Sequence, residues 1–173
     1  MIFDDYFRSR LIKLTRYFII FFIGILMFSS SGWENYGIFT MVLFLFVTIF
    51  IGIATVGRLW CTIYISGYKT NQLITSGPYS ICRNPLYMFS FIGTIGLGLE
   101  TETLIFPTIA AVAFLLYYPS VIKQEESRLR EKHGEEFEAY CRRVPRFVPS
   151  FSQLDEPDTY VVRPKAFRRR LFD

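Results

Sequence analysis

The sequence predicts an all-α integral membrane protein with four transmembrane helices, cytoplasmic N- and C-termini and a cytoplasmic helical C-terminal tail. Three observations carry that expectation. Hydrophobic residues make up 51% of the 173-residue chain and aromatics 18%, with mean hydropathy +0.30, more apolar side chain than a water-soluble domain of this size can cover. Charged residues, 20% of the chain, are segregated, leaving uncharged runs at 17–33, 35–57, 84–99 and 103–122, of 17, 23, 16 and 20 residues. A spanning helix needs roughly 17 to 25 apolar residues. All 19 Lys and Arg fall in three segments, the N-terminal arm, residues 58–83 and the tail after residue 122, while the two short hairpin turns hold only Glu34, Glu100 and Glu102. Four spans place the three basic segments on one side, and the positive-inside rule makes that side the cytoplasm.

The elements follow in order. Residues 1–57 form the arm and the first transmembrane hairpin; the run Tyr17–Phe28 followed by Ser29-Ser30-Ser31 has signal-peptide features, but Asp4, Asp5 and the immediately following span favour a retained helix. Residues 58–149 form a core that includes the second hairpin. It opens with an interfacial Arg58-Leu59-Trp60 and a loop bent at Gly67, Asn71, Ser76, Gly77 and Pro78. Pro85 suits a helix start, with Asn84 as N-cap, so the free N–H groups of the third span face the loop and favour an anionic group. Gly93, Gly96 and Gly98 in that span read as close helix packing. The fourth span continues as a mixed-charge helix to a break near Gly134, and a short helix, Glu135 to Arg143, presents Phe137, Tyr140 and Cys141 on one face.

Residues 150–173 form a basic-aromatic tail that mixes acids with Arg163, Lys165, Arg168, Arg169 and Arg170, interleaved with Tyr160, Val161, Val162, Phe167, Leu171 and Phe172. Beside four spans, such a tail reads as an anchor to anionic membrane lipids rather than a nucleic-acid site. Cys61, Cys82 and Cys141 are uneven in spacing and read as free thiols, which excludes a disulfide-stapled secreted domain. No ligand set for a metal is expected. His133, the single histidine, reads as a solvated residue.

Two segments together carry a resemblance. Leu73-Ile74-Thr75-Ser76-Gly77-Pro78-Tyr79 precedes Arg83-Asn84-Pro85-Leu86-Tyr87, and Glu125-Glu126 precedes Leu129, Gly134, Phe137, Tyr140 and Val144-Pro145-Arg146. In these, the chain resembles the isoprenylcysteine carboxyl methyltransferase family and the related membrane phospholipid N-methyltransferases, which use S-adenosylmethionine. The resemblance implies cofactor binding by Asn71, Gln72, Leu73 and Ile74, by Tyr79, by Asn84, Pro85, Leu86 and Tyr87, and by Glu125. Asn84 stands where the family often has His, and Tyr118-Pro119-Ser120-Val121 stands where the prenylcysteine enzymes keep an arginine. Arg83 and Arg146 are then the cations available to an anionic acceptor, and with Tyr87 they are the candidate catalytic residues.

The chemistry is consistent with these residue types. Methyl transfer from a sulfonium is an in-line displacement, so the protein supplies proximity, desolvation and neutralisation of the cofactor's ends. The expected function is therefore methylation of a lipophilic acceptor, the carboxylate of a prenylcysteine-like or other anionic amphiphile, at the cytoplasmic face of a multi-pass protein of a bacterial inner membrane or the endoplasmic reticulum. Partners are lipidated or lipophilic substrates and membrane lipids. The alternatives are a phospholipid or small-molecule N- or S-methyltransferase, a non-catalytic accessory subunit that retains the fold, and a nicotinamide-dependent membrane reductase.

Overall fold

The computed structural model describes residues 37–67, 72–160, 162–165 and 167–168. The first expected span and Asn71 lie outside the described residues. Among those described there is no strand, and five α-helices follow one another: α1 (Gly37–Gly67), α2 (Pro78–Ile81), α3 (Pro85–Leu99), α4 (Ile105–His133) and α5 (Glu135–Arg143), then a short 3-10 turn at Phe151–Gln153.

α1 outruns the uncharged run from which it was expected. No proline interrupts its 31 residues, and Arg58, instead of ending the helix, hydrogen-bonds Ser90 on α3. The hydroxyls of Thr55, Thr62 and Ser66 donate to the carbonyls four residues earlier, which satisfies them without water. Two helices, Gly37–Ser66 and Ile105–His133, are long and apolar enough to cross a membrane, and α3 is a shorter apolar helix. Their outward faces carry exposed Met41, Phe44, Ile109 and Leu116, which have no favourable place in water.

α3 lies between α1 and α4, and its glycines explain how closely. A Cβ on Gly93 would lie 2.9 Å from that of Ala54, one on Gly96 3.1 Å from that of Phe50, and one on Gly98 2.9 Å from the Pro107 backbone. Gly57 of α1 faces the ring of Phe89 in the same way. The glycines thus act as the packing surface the sequence implied. The turn between α3 and α4 is closed by buried Thr101, whose hydroxyl donates to Gly98 O at 2.7 Å.

α4 runs unbroken from the apolar region into its charged extension and stops at Gly134, where φ is +51°. α5 then turns Phe137 and Tyr140 inward, where they pack with Leu73 and Val144 in a small core flanked by Leu129 and Cys141. A second core joins Cys61, Cys82, Met88 and Phe89, with Trp60, Tyr79 and Leu86 packed against it. Beyond α5 the chain runs antiparallel to residues 77–84: Arg83 N donates to Pro145 O at 2.8 Å, Ser150 N to Ile81 O at 2.9 Å and Gly77 N to Asp155 O at 2.7 Å.

Candidate active site

The starts of α2 and α3, the charged extension of α4 and the segment after α5 converge at one end of the helices. Tyr87, in the first turn of α3, donates to Glu125 Oε2 on α4 at 2.9 Å. Glu125 is exposed, so its other oxygen is open to a ligand. Glu126, one residue and about 100° further round the helix, points inward and is only 5% exposed.

Glu126 has two guanidinium partners. Arg146 meets it in a two-pronged pair, Nη2 to Oε2 at 2.5 Å and Nε to Oε1 at 3.2 Å, the geometry in which guanidinium and carboxylate bind best. Arg83 Nη1 lies 3.3 Å from Oε1 and donates to Cys141 Sγ at 2.6 Å. The contact with Glu126 holds the Arg146 guanidinium above its ordinary pKa. One carboxylate therefore serves two cations, and Arg83 Nε is buried with no hydrogen-bond partner among the described residues.

The other expected residues divide. Asn84 is buried, but its side chain does not cap α3; its amide donates to Arg146 O at 3.0 Å. The helix start is supplied by the backbone, with Met88 N donating to Asn84 O at 3.1 Å, and Pro85 occupies the position where no N–H is needed. Tyr79 O accepts from the Tyr140 hydroxyl at 2.7 Å, and desolvation first of all pushes that phenol up. Leu73 is buried in the core under α5, Ile74 is half-buried and Gln72 exposed. Leu86 packs in the Cys61–Phe89 core. Tyr79, Asn84, Tyr87, Glu125, Arg83 and Arg146 thus share one end of the fold, while Leu73 and Leu86 support it from below.

Beneath the Tyr87–Glu125 pair runs a wall of rings. Tyr87 meets Tyr118 edge-on at 5.2 Å, Tyr118 stacks on Phe114 at 3.9 Å, and Phe114 contacts Phe91 at 4.5 Å and Phe147 at 5.7 Å. Tyr118, in the stretch where the resemblance implies an arginine, is part of this wall. His133, expected in solvent, has a side chain only 7% exposed, with Nδ1 4.0 Å from Glu136 Oε2; it lies at the end of α4, just before the turn into α5. No group of three or more His, Cys, Asp or Glu placed to hold a metal occurs among the described residues.

Polar groups at one end of two helices long and apolar enough to cross a membrane, over an aromatic wall, mark the chain as a membrane protein. A family model for phospholipid methyltransferases matches residues 33–136, and the chain belongs to that family. It is 39% identical over 170 residues to the cobalt-zinc-cadmium resistance protein CzcN of Cupriavidus metallidurans, covering 98% of this chain and 78% of that one. It is 48% identical over 120 residues to the nickel-cobalt-cadmium resistance protein NccN of Alcaligenes xylosoxydans xylosoxydans, covering 69% and 56%. Protein-S-isoprenylcysteine O-methyltransferase B of Arabidopsis thaliana is 29% identical over 157 residues, covering 86% and 76%. No solved structure gives a significant match.

Proposed function

We propose that the chain is an S-adenosylmethionine-dependent methyltransferase of a four-span membrane protein, taking its cofactor from the cytoplasm and a lipophilic anion from the bilayer. The observation that carries the reading is the juxtaposition of Tyr87–Glu125 with the Arg83–Glu126–Arg146 cluster at the top of the aromatic wall. The donor set fits the cofactor: the open oxygen of Glu125 accepts from ribose hydroxyls or an ammonium, the start of α3 suits a carboxylate, and Tyr79 and Tyr87 offer aromatic faces. When bound, the cofactor supplies an electrophilic methyl group.

The protein's part is binding, orientation and exclusion of water. Tyr87 fixes the rotamer of Glu125 through its hydroxyl. Phe91, Phe114, Tyr118 and Phe147 keep the apolar side dry and give an acyl or prenyl chain a surface to lie on. A carboxylate acceptor already carries its nucleophilic lone pair at neutral pH and needs a cation to hold it rather than a base; Arg146, whose side chain is 53% exposed, is the cation within reach. A phospholipid or small-molecule N- or S-methyltransferase is the nearest alternative in chemistry.

A second reading, a non-catalytic accessory subunit, draws on the names of CzcN and NccN and connects the chain to resistance against cobalt, zinc, nickel or cadmium. Calorimetric titration of detergent-purified protein with S-adenosylmethionine decides between them. Saturable binding followed by methyl transfer to membrane lipid extract supports the enzyme; absence of binding refutes it.

A further inference from the structure

The chain beyond α5 returns to the end of α1 and closes over it. Gly77 N donates to Asp155 O at 2.7 Å, and Asp155 N donates to Ser80 Oγ at 2.9 Å. Five residues on, Tyr160 stacks on Tyr64, ring centroids 4.9 Å apart and planes at 21°. Tyr64 is 2% exposed, and Gly77, where φ is +60°, lies so close to it that any Cβ there would strike the outer end of the Tyr64 ring. Tyr64 is thereby held between the tail and the loop that leads to Tyr79.

These contacts fix the level at which the tail leaves the fold. The apolar segment Gly37–Ser66 has 30 residues, about 45 Å at the helical rise, against about 30 Å of hydrocarbon. The end that carries Arg58, Trp60 and Tyr64 has the side chains that favour the headgroup layer, and Trp60 meets Tyr64 edge-on at 6.4 Å. Tyr160 brings the following residues to the same layer. There Phe167 N donates to Arg163 O at 2.9 Å, a single helical turn, and Arg163, Lys165 and Arg168 are exposed with no carboxylate partner among the described residues.

We propose that the tail stretch carrying Asp155, Tyr160, Arg163, Lys165 and Arg168 is a lipid-reading clasp: Arg163, Lys165 and Arg168 bind the phosphates of anionic phospholipids, and the Tyr160–Tyr64 stack passes that binding to Gly77 and Ser80. Lipid phosphate is the occupant because the three acids of this stretch, Asp155, Glu156 and Asp158, all precede Tyr160, while Arg163, Lys165 and Arg168 follow it at the headgroup layer, where clustered Lys and Arg accumulate on anionic surfaces. The loop around Tyr79 is held through Asp155 and Tyr160, so its order depends on whether the tail is docked.

Hydrogen exchange by mass spectrometry on the full chain in nanodiscs tests this, comparing phosphatidylcholine alone with phosphatidylcholine containing about 30% phosphatidylglycerol. Phosphatidylglycerol is expected to slow exchange about fivefold both in 155–168 and in 76–81, and about 0.5 M sodium chloride to remove the effect. The triple variant Arg163→Gln, Lys165→Gln, Arg168→Gln loses both responses. Tyr160→Ala keeps the tail response and loses that of the loop, with unchanged exchange in α3 and α4 showing that the fold is intact. Equal exchange in the two lipids overturns the proposal, and so does tail protection without any change at 76–81. The measurement needs no methyl donor, so its outcome is separate from that of the methyltransferase reading.

Discussion

Nη2 of Arg146 lies 2.5 Å from Oε2 of Glu126, a carboxylate only 5% exposed. The cation that sequence alone holds in reserve for a substrate is therefore engaged already, and an acceptor anion that reaches Arg146 must share it with Glu126 while Arg83 keeps the carboxylate neutralised.

Glu126→Ala leaves the mostly buried Arg83 guanidinium, 14% exposed, without the carboxylate it pairs with. Breaking a buried pair from one side costs about 3 to 5 kcal/mol, and thermal unfolding in detergent should show a loss of about that size. An unchanged midpoint would remove Glu126 from the fold's framework.

Glu125→Ala, by contrast, removes an exposed side chain with one hydrogen bond. Stability should change by less than about 0.5 kcal/mol, whereas S-adenosylmethionine binding, read by calorimetry, should weaken by about 1.5 to 3 kcal/mol. Tyr87→Phe should cost about 1 kcal/mol of the same affinity. Parent-like binding in both variants would make the pair a helix-surface contact.

Arg146→Ala is expected to abolish turnover of an anionic amphiphile and to leave cofactor affinity within about threefold. Because the side chain is half exposed, its loss should destabilise by no more than about 1 to 2 kcal/mol, less than the loss of Glu126. Equal loss of cofactor binding would put Arg146 in the cofactor site, and undiminished turnover would take it out of the mechanism.

Burial pushes the Cys82 thiol up to about 11 from an ordinary 9.0. A raised pKa in the folded state gives stability that is intact below the ordinary value and is lost as pH climbs through the higher one. Between pH 9.0 and about 11 the parent should lose on the order of 2 kcal/mol more than Cys82→Ala, read as the difference between their alkaline unfolding curves. Superimposable curves would show that Cys82 ionises freely.

The placement of all 19 basic residues in three segments makes topology testable. A cysteine at Glu102 should react with an impermeant maleimide added from outside intact cells, and one at Arg128 should not. Labelling of both would refute four spans with cytoplasmic ends.

Helical class, helix starts and stops, and the small-residue face of α3 were legible because each has a local signal: Pro85, Gly134 and the glycines of 93–98. The convergence of Tyr87 with Glu125 was legible only through the resemblance, since nothing local links residues 38 apart. Glu126 was underestimated because adjacent glutamates look alike in a sequence, while the turn of α4 sends one to solvent and the other inward. The place of Asn84 before a proline suggests a cap, whereas its amide donates to a tertiary acceptor, Arg146 O. The polar residues around His133 point to solvent, yet where α4 turns into α5 its side chain is only 7% exposed.

α3 has 15 residues, about 22 Å of helix, which is some 8 Å less than the hydrocarbon it would have to cross. Its ends cannot slide to compensate: Arg83 and Asn84 are fastened to Pro145 and Arg146 at one, and Gly98 is closed on Pro107 at the other. On the four-span reading, the lipid rather than the protein must yield, and the leaflet dimples beside Tyr87 and Glu125. If the chain is the methyltransferase proposed above, such a dimple would bring an amphiphile's polar head down to the methyl donor without drawing its tail out of the membrane, and acyl-chain length would then control turnover.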